Sequence, residues 1–183
     1  MNRFLSRRTF SAWALGAACA FGLGGAAQAA DEAADAFIKR VSSDILEAIK
    51  ADKSIHNGEV NKIIVLVDQR VMPHVNFLRM TASAVGPGWR QATPEQQKRL
   101  QDEFKILLVR TYAGALGQVS DQTIAVKPLR AAADDKEVLV RTEVRGKGDP
   151  IQLDYRVEKT ADGAWKVYNM NVMGIWLVEN YKT

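Results

Sequence analysis

Val138-Leu139-Val140-Arg141-Thr142-Glu143-Val144-Arg145 is followed, after a turn at Gly146–Pro150, by Ile151-Gln152-Leu153-Asp154-Tyr155-Arg156-Val157-Glu158. In the first segment Val138, Val140, Thr142 and Val144 alternate with Leu139, Arg141, Glu143 and Arg145. In the second, Ile151, Leu153, Tyr155 and Val157 alternate with Gln152, Asp154, Arg156 and Glu158. A strand points successive side chains to opposite faces, so this period of two predicts two antiparallel strands with one dry face and one wet face. Asp154 falls on the wet side, opposite Leu153 and Tyr155.

The sheet extends in both directions along the chain. Gln122 to Lys127 reads as a short strand before the pair. Beyond the turn at Ala161-Asp162-Gly163, a further strand is expected from about Trp165 to Met173, then a short helix from about Ile175 to Tyr181.

Upstream of Gly117 the apolar period is near 3.6, the mark of amphipathic helices. Asp31 to Ala51 carries Phe37, Val41, Ile45, Leu46 and Ile49. Asn57 is placed to cap a second helix over Val60, Ile63, Ile64, Val67 and Val71, which Pro73 should break or kink. A third carries Val75, Phe77, Leu78 and Met80, ending at the turn Gly86-Pro87-Gly88. Thr93-Pro94-Glu95-Gln96 combines a capping threonine, proline at the first helical position and a glutamine three residues after the cap. The helix it starts should run to about Leu116. Helices followed by a meander imply an α+β domain: N-terminal helices packed on a roughly four-stranded antiparallel sheet, with a short C-terminal helix.

The chain has 183 residues, 47% hydrophobic and 25% charged, an ordinary globular composition. Its charge is unevenly placed. Arg3, Arg7 and Arg8 stand in an acid-free segment and account for three of the four net positive charges. A nucleic-acid-binding surface therefore has little support. Residues 1–29 read as a cleaved signal peptide: a basic start, an apolar run from Trp13 to Ala27, and the small-x-small site Ala27-Gln28-Ala29. Ser6-Arg7-Arg8-Thr9-Phe10 is also similar to a twin-arginine export signal. The rest, residues 30–183, is one domain's length and is expected outside the cytoplasm. Cys19, in the leader, is the single cysteine, so the body has no disulfide, cysteine nucleophile or thiolate metal site.

Motifs for catalysis are missing. His56 and His74 have no companions at metal-ligand spacing, and there is no HExxH, GxSxG elbow, phosphate loop or dinucleotide fingerprint. Apolar surface remains: the dry strand face, and helical positions Val67, Val71, Met72, Phe77, Met80, Phe104, Leu108 and Tyr112. Such residues build either a close-packed core or the wall of a cavity.

Three segments together carry a family likeness: Gly88-Trp89-Arg90-Gln91-Ala92-Thr93-Pro94-Glu95-Gln96, Phe104-Lys105-Ile106-Leu107-Leu108 through Thr111-Tyr112, and Gly163-Ala164-Trp165-Lys166-Val167-Tyr168-Asn169 with Gly174-Ile175-Trp176-Leu177-Val178-Glu179-Asn180-Tyr181. From about Asp35 to Tyr181 the chain resembles MlaC-type periplasmic phospholipid-binding proteins, also called the toluene-tolerance auxiliary family, of the outer-membrane lipid asymmetry pathway. It departs from their pattern at Asn76, Asn169, Met173 and Trp176. The resemblance implies a helix-covered sheet enclosing an acyl-chain pocket, with phospholipid as cargo and no cofactor. It also implies shuttling between an outer-membrane lipoprotein–porin complex and an inner-membrane ABC transporter with its substrate-binding ring. Lining this pocket, the expected lipid-binding residues are Val67, Val71, Met72, Phe77, Met80, Phe104, Leu108, Tyr112, Val140, Leu153, Tyr155, Tyr168 and Met170. The tyrosines offer an apolar ring with a polar tip, and the methionines adapt to chains of mixed length. Competing readings are a periplasmic binding protein for another apolar ligand (solvent, quinone or sterol-like), an enzyme of a small cone-shaped α+β fold, and a packed interaction domain without a cavity.

Overall fold

The computed structural model describes residues 32–132 and 134–182. Residues 1–29, read as a cleaved signal peptide, lie outside the described residues. The sheet is an antiparallel meander of β1 (Thr123–Val126), β2 (Glu137–Arg145), β3 (Ile151–Lys159), β4 (Trp165–Val172) and β5 (Ile175–Trp176), in that spatial order. Its register sets Val140 opposite Tyr155 and Tyr155 opposite Met170. One row further along, Thr142, Leu153, Val172 and Ile175 stand side by side. These rows form the dry face that the alternation predicts.

The fifth strand occupies residues read as the start of the terminal helix. Met173 and Gly174 take φ of 52° and 91°, a tight reversal that returns the chain along β4. Helix α6 then starts at Leu177 and ends at Tyr181.

The second face is less wet than expected. Asp154 points there as alternation requires, yet it is only 8% exposed, and Asn169 and Asn171 are buried beside it. Gln152 Nε2 donates to both Asp154 carboxylate oxygens, at 3.3 and 3.1 Å. Further along, Asn169 accepts the Val178 N–H at 3.2 Å and donates to Glu179 at 2.7 Å, so α6 covers this part of the face. Buried polar groups need such partners to offset lost hydration.

Among the described residues, six α-helices accompany the sheet: α1 (Ala34–Ala51), α2 (Lys53–His56), α3 (Val60–Leu66), α4 (Phe77–Val85), α5 (Pro94–Gly117) and α6. The α5 start is the predicted capping box. The Thr93 N–H donates to Gln96 Oε1 at 2.8 Å, and the Gln96 N–H donates to Thr93 Oγ1 at 3.3 Å. Asn57 does not cap α3: it closes α2, and α3 is entered at Glu59 without a side-chain cap. The expected break at Pro73 is wider than a kink. Val67–Val71 forms a π-helical turn and Met72–His74 a 3₁₀ turn, after which Val75 bridges to Val167 at the edge of β4.

Apolar packing among the described residues falls into three clusters. In the first, α1 lays Phe37, Ile38 and Val41 on Val140, Tyr155 and Val157 of the sheet. The second gathers Ile49, Ile55, Ile63, Val109 and Ala113 where α1, α2, α3 and α5 meet. The third holds Phe77, Met80, Ala84, Phe104 and Val178 between α4, α5 and α6. The main neighbours of α5 are helices α2, α3 and α4. It packs beside the sheet's helical cover, where its inner side borders the second and third clusters.

Candidate functional site: an apolar seam between the clusters

The thirteen sequence candidates do not gather in one place. Val140 and Tyr155 are buried in the first cluster, with Leu153 and Met170 packed partly exposed on its border. Val67 borders the second cluster. Phe77, Met80 and Phe104 are buried in the third, with Met72 and Leu108 on its border. Val71 and Tyr112 are half-buried and belong to none of the three clusters. A close-packed domain usually forms one contiguous core. Among the described residues there are three here, with half-buried apolar side chains along their borders as a seam.

The π-helical turn explains how α3 and its continuation serve two clusters. Ile63 and Val67, before or at its start, pack in the second cluster, whereas Met72 just beyond it packs in the third. The wide turn adds a residue per turn and shifts the phase of the apolar stripe; such turns are rare and recur at functional sites. Ion pairs brace it from both flanks. Arg70 reaches Asp44 of α1 at 3.2 Å, and Lys105 of α5 reaches Asp68 at 2.8 Å. The flanking helices are thus held around a stretch whose valines stay half-exposed. Two residues outside the candidate set tie the clusters together. Ile45 packs against the first and second, and Val75 against the first and third. Both lie in periodic apolar runs of the sequence, but their bridging role depends on where helices cross.

Two of the three candidate tyrosines sit on the helix-covered side. Burial pushes the Tyr112 hydroxyl above its ordinary pKa, and Tyr181 nearby adds to this. Tyr155 is also raised by burial, against the influence of Ser42 and Thr142 beside its hydroxyl. Its polar tip is therefore a contact inside the first cluster.

Tyr168 lies on the opposite face. Arg156 pairs with Asn169 but Val157 pairs with Val167, so β4 carries one extra residue, Tyr168. This bulge puts Tyr168 on the side of Asn169, away from Met170. Its ring lies under the Arg79 guanidinium, with 3.6 Å from the carbon to the ring centre, and its hydroxyl donates to Glu137 at 3.0 Å. Arg79 also pairs with Glu137 at 2.8 Å and with Glu158, to which Asn76 Nδ2 donates at 2.6 Å. The Arg79 hydrogen bond holds the Glu137 carboxyl below its usual range. This network clamps α4 to the sheet. The single residues involved look like ordinary surface charge in the sequence, and the bulge that assembles them leaves no periodic signal.

Among the described residues, no group of three or more His, Cys, Asp or Glu side chains is placed to hold a metal ion. His74 stands edge-on to Phe37, with ring centres 5.9 Å apart. No helix among the described residues is long and apolar enough to cross a membrane.

Residues 39–183 match the family model of the MlaC protein. The chain belongs to the MlaC family. It is 51% identical to the phospholipid-binding protein from Ralstonia solanacearum, whose structure was solved in complex with a phospholipid. That likeness has a TM-score of 0.79 and covers 82% of this chain and 83% of the other. Over 140 residues, 75% of the chain, it is 30% identical to the toluene tolerance protein ttg2D of Pseudomonas putida. The match spans 64% of that relative's own length. The intermembrane phospholipid transport system binding protein MlaC of Haemophilus influenzae is 24% identical over 146 residues, covering 78% of this chain and 68% of that protein.

Proposed function

We propose that this chain is a periplasmic phospholipid carrier, whose cargo keeps its acyl chains in the seam and its head group near water. Residues 1–29 direct export and are removed, and residues 30–183 form the carrier. The observation that carries this reading is the seam itself: half-buried Val67, Met72, Leu108, Leu153 and Met170 along the borders of the three apolar clusters, with Val71 half-buried as well. It occurs in a chain half-identical to a protein solved with a phospholipid. That cargo favours phospholipid over a solvent, quinone or sterol-like ligand.

The physical task follows from the lipid. A diacyl phospholipid has about 28 to 30 chain methylenes, and at roughly 0.8 kcal/mol each their exposure to water costs on the order of 20 kcal/mol. Unaided crossing of an aqueous space is therefore very slow. A carrier substitutes its own apolar side chains for the bilayer's and needs no covalent step. Methylenes supply energy with little discrimination, so the carrier should accept mixed chain lengths, and half-buried methionines such as Met72 and Met170 suit that variety. Release is the converse problem: tight burial makes escape slow, so a membrane-bound partner must receive the chains. An outer-membrane lipoprotein–porin complex and an inner-membrane ABC transporter with a substrate-binding ring would supply and accept them. The test is purification without detergent, organic extraction and mass spectrometry. Diacyl phospholipid at a constant ratio to protein supports the carrier. Protein free of lipid from a lipid-rich host contradicts it.

A further inference from the structure

The dry face of the sheet is graded in exposure along the strands. The row Val140–Tyr155–Met170 runs from fully buried to half-buried. The next row, Thr142–Leu153–Val172–Ile175, is half-buried at Leu153 and Val172 and ends at Ile175, 54% exposed. In the row beyond, Ile151 is 41% exposed. Two-residue periodicity puts Tyr155, Leu153 and Ile151 on one face, and the pairing of Leu153 with Val172 and of Val172 with Ile175 extends that face to the sheet edge. An unbroken apolar file thus leads from the buried wall to the open end of the sheet.

The turn at that end has two further features. Met173 is 70% exposed at φ 52°, a left-handed backbone in which glycine or asparagine is at ease and other residues are strained. A large apolar side chain thus stands at a position where turn chemistry favours a small polar one. The Met173 N–H donates to the Gln152 carbonyl at 3.0 Å, so the turn is seated beside Ile151. A Cβ built on Gly174 meets nothing within 4 Å, so the space over the turn is open.

We infer that this end of the sheet, marked by Ile151, Met173 and Ile175, is the portal through which acyl chains enter and leave the interior. The inference rests on the carrier reading and adds the route. A chain sliding along the file passes from Ile151 and Ile175 to Leu153 and Val172, then to Tyr155 and Met170, and has an apolar neighbour at each step. Away from this end, ion pairs tie the π turn to α1 through Arg70–Asp44 and to α5 through Lys105–Asp68.

The experiment measures exchange of a fluorescently labelled phosphatidylglycerol between vesicles and the full chain as purified. Ile151→Asp, Met173→Asp and Ile175→Asp are compared with Leu78→Asp and Val65→Asp, which put the same charge on exposed apolar residues of α4 and α3. All five positions are exposed, and thermal melts check that the fold is kept. The portal variants should exchange at least tenfold more slowly, with the Ile151 and Ile175 variants affected most, while the helix variants stay within twofold of the parent. Parent-like exchange in all three portal variants, or equal slowing by Leu78→Asp, overturns the portal while leaving the carrier intact. A parent protein that neither holds nor acquires the lipid overturns the carrier and the portal together.

Discussion

The sheet with α1 and the helical layer with the π turn use the same apolar residues to different ends. In the first, Ile38, Val140 and Val157 are almost or wholly removed from water, and α1 packs directly on the strands. In the second, Val67, Val71, Met72, Leu108 and Tyr112 each keep part of their surface, and ion pairs brace the elements from outside. Close packing holds the fold together, and under the carrier reading the half-buried apolar side chains are the surface offered to a hydrocarbon guest. A side chain's contribution to stability and its contribution to cargo binding should therefore separate along this division.

The largest effect is expected in the packed half. Ile38→Ala should cost about 2–5 kcal/mol in chemical denaturation, because the lost transfer energy adds to a cavity that rigid neighbours cannot fill. Val140→Trp, which alternation alone would offer as a way to block a pocket, should instead prevent stable folding, since Val140 is 0% exposed against α1. An Ile38→Ala protein as stable as the parent would erase the distinction between the two regions.

The next effect belongs to the border. Leu153→Trp puts an indole where a side chain is only half-buried. It should cost no more than about 1–2 kcal/mol, yet reduce co-purified phospholipid at least threefold. A folded variant with a full complement of lipid would place Leu153 outside the cargo's reach.

Smaller again is the clamp on the far face. Arg79→Ala removes the pairs to Glu137 and Glu158 and the stacking on Tyr168, all partly exposed, so a loss of about 1 kcal/mol is expected. Lipid content should stay unchanged, because these groups lie across the sheet from Tyr155 and Met170. A fall in lipid without a fall in stability would bring Tyr168 back among the cargo contacts.

The smallest effect depends on pH. Burial lowers the His74 pKa from its usual 6.5; Arg40 and Lys166 act in the same direction, and Asp44 and Glu32 oppose them. The unfolded chain therefore takes up this proton first as pH falls, and the native state loses stability from about pH 7 downward until the lower folded value is passed. His74→Gln should flatten the melting temperature between pH 7 and 5. An unchanged slope would mean that other groups govern that window.

Much of the fold is legible in the sequence because its signals are local. The alternation in β2 and β3, and the threonine–proline–glutamine start of α5, predict elements and faces that the structure shows. Three features escape local reading. The bulge at Tyr168 inserts one residue without altering the apolar pattern on either side. The π turn at Val67–Val71 looks in the sequence like a continued helix, and Pro73 signals only that the helix must end. The burial of Asp154 depends on Asn171 and Gln152 beside it and on the cover over that face, which alternation cannot foresee. The candidate site is legible only as composition. Val140 and Leu153 occupy equivalent positions in their strands, and what separates a sealed wall residue from a border residue is the tertiary cover over each, which the strand pattern does not carry. The family likeness supplied the cargo, which no periodicity could.

The most direct test of the central claim is the lipid content of the protein itself. Full-length chain, expressed with residues 1–29 and purified without detergent, is extracted with organic solvent, and phospholipid phosphorus is measured against protein. The account predicts close to one diacyl phospholipid per chain, with mixed acyl lengths and a value that survives extensive dialysis. A ratio near zero in folded protein that also takes up no lipid from vesicles would contradict it.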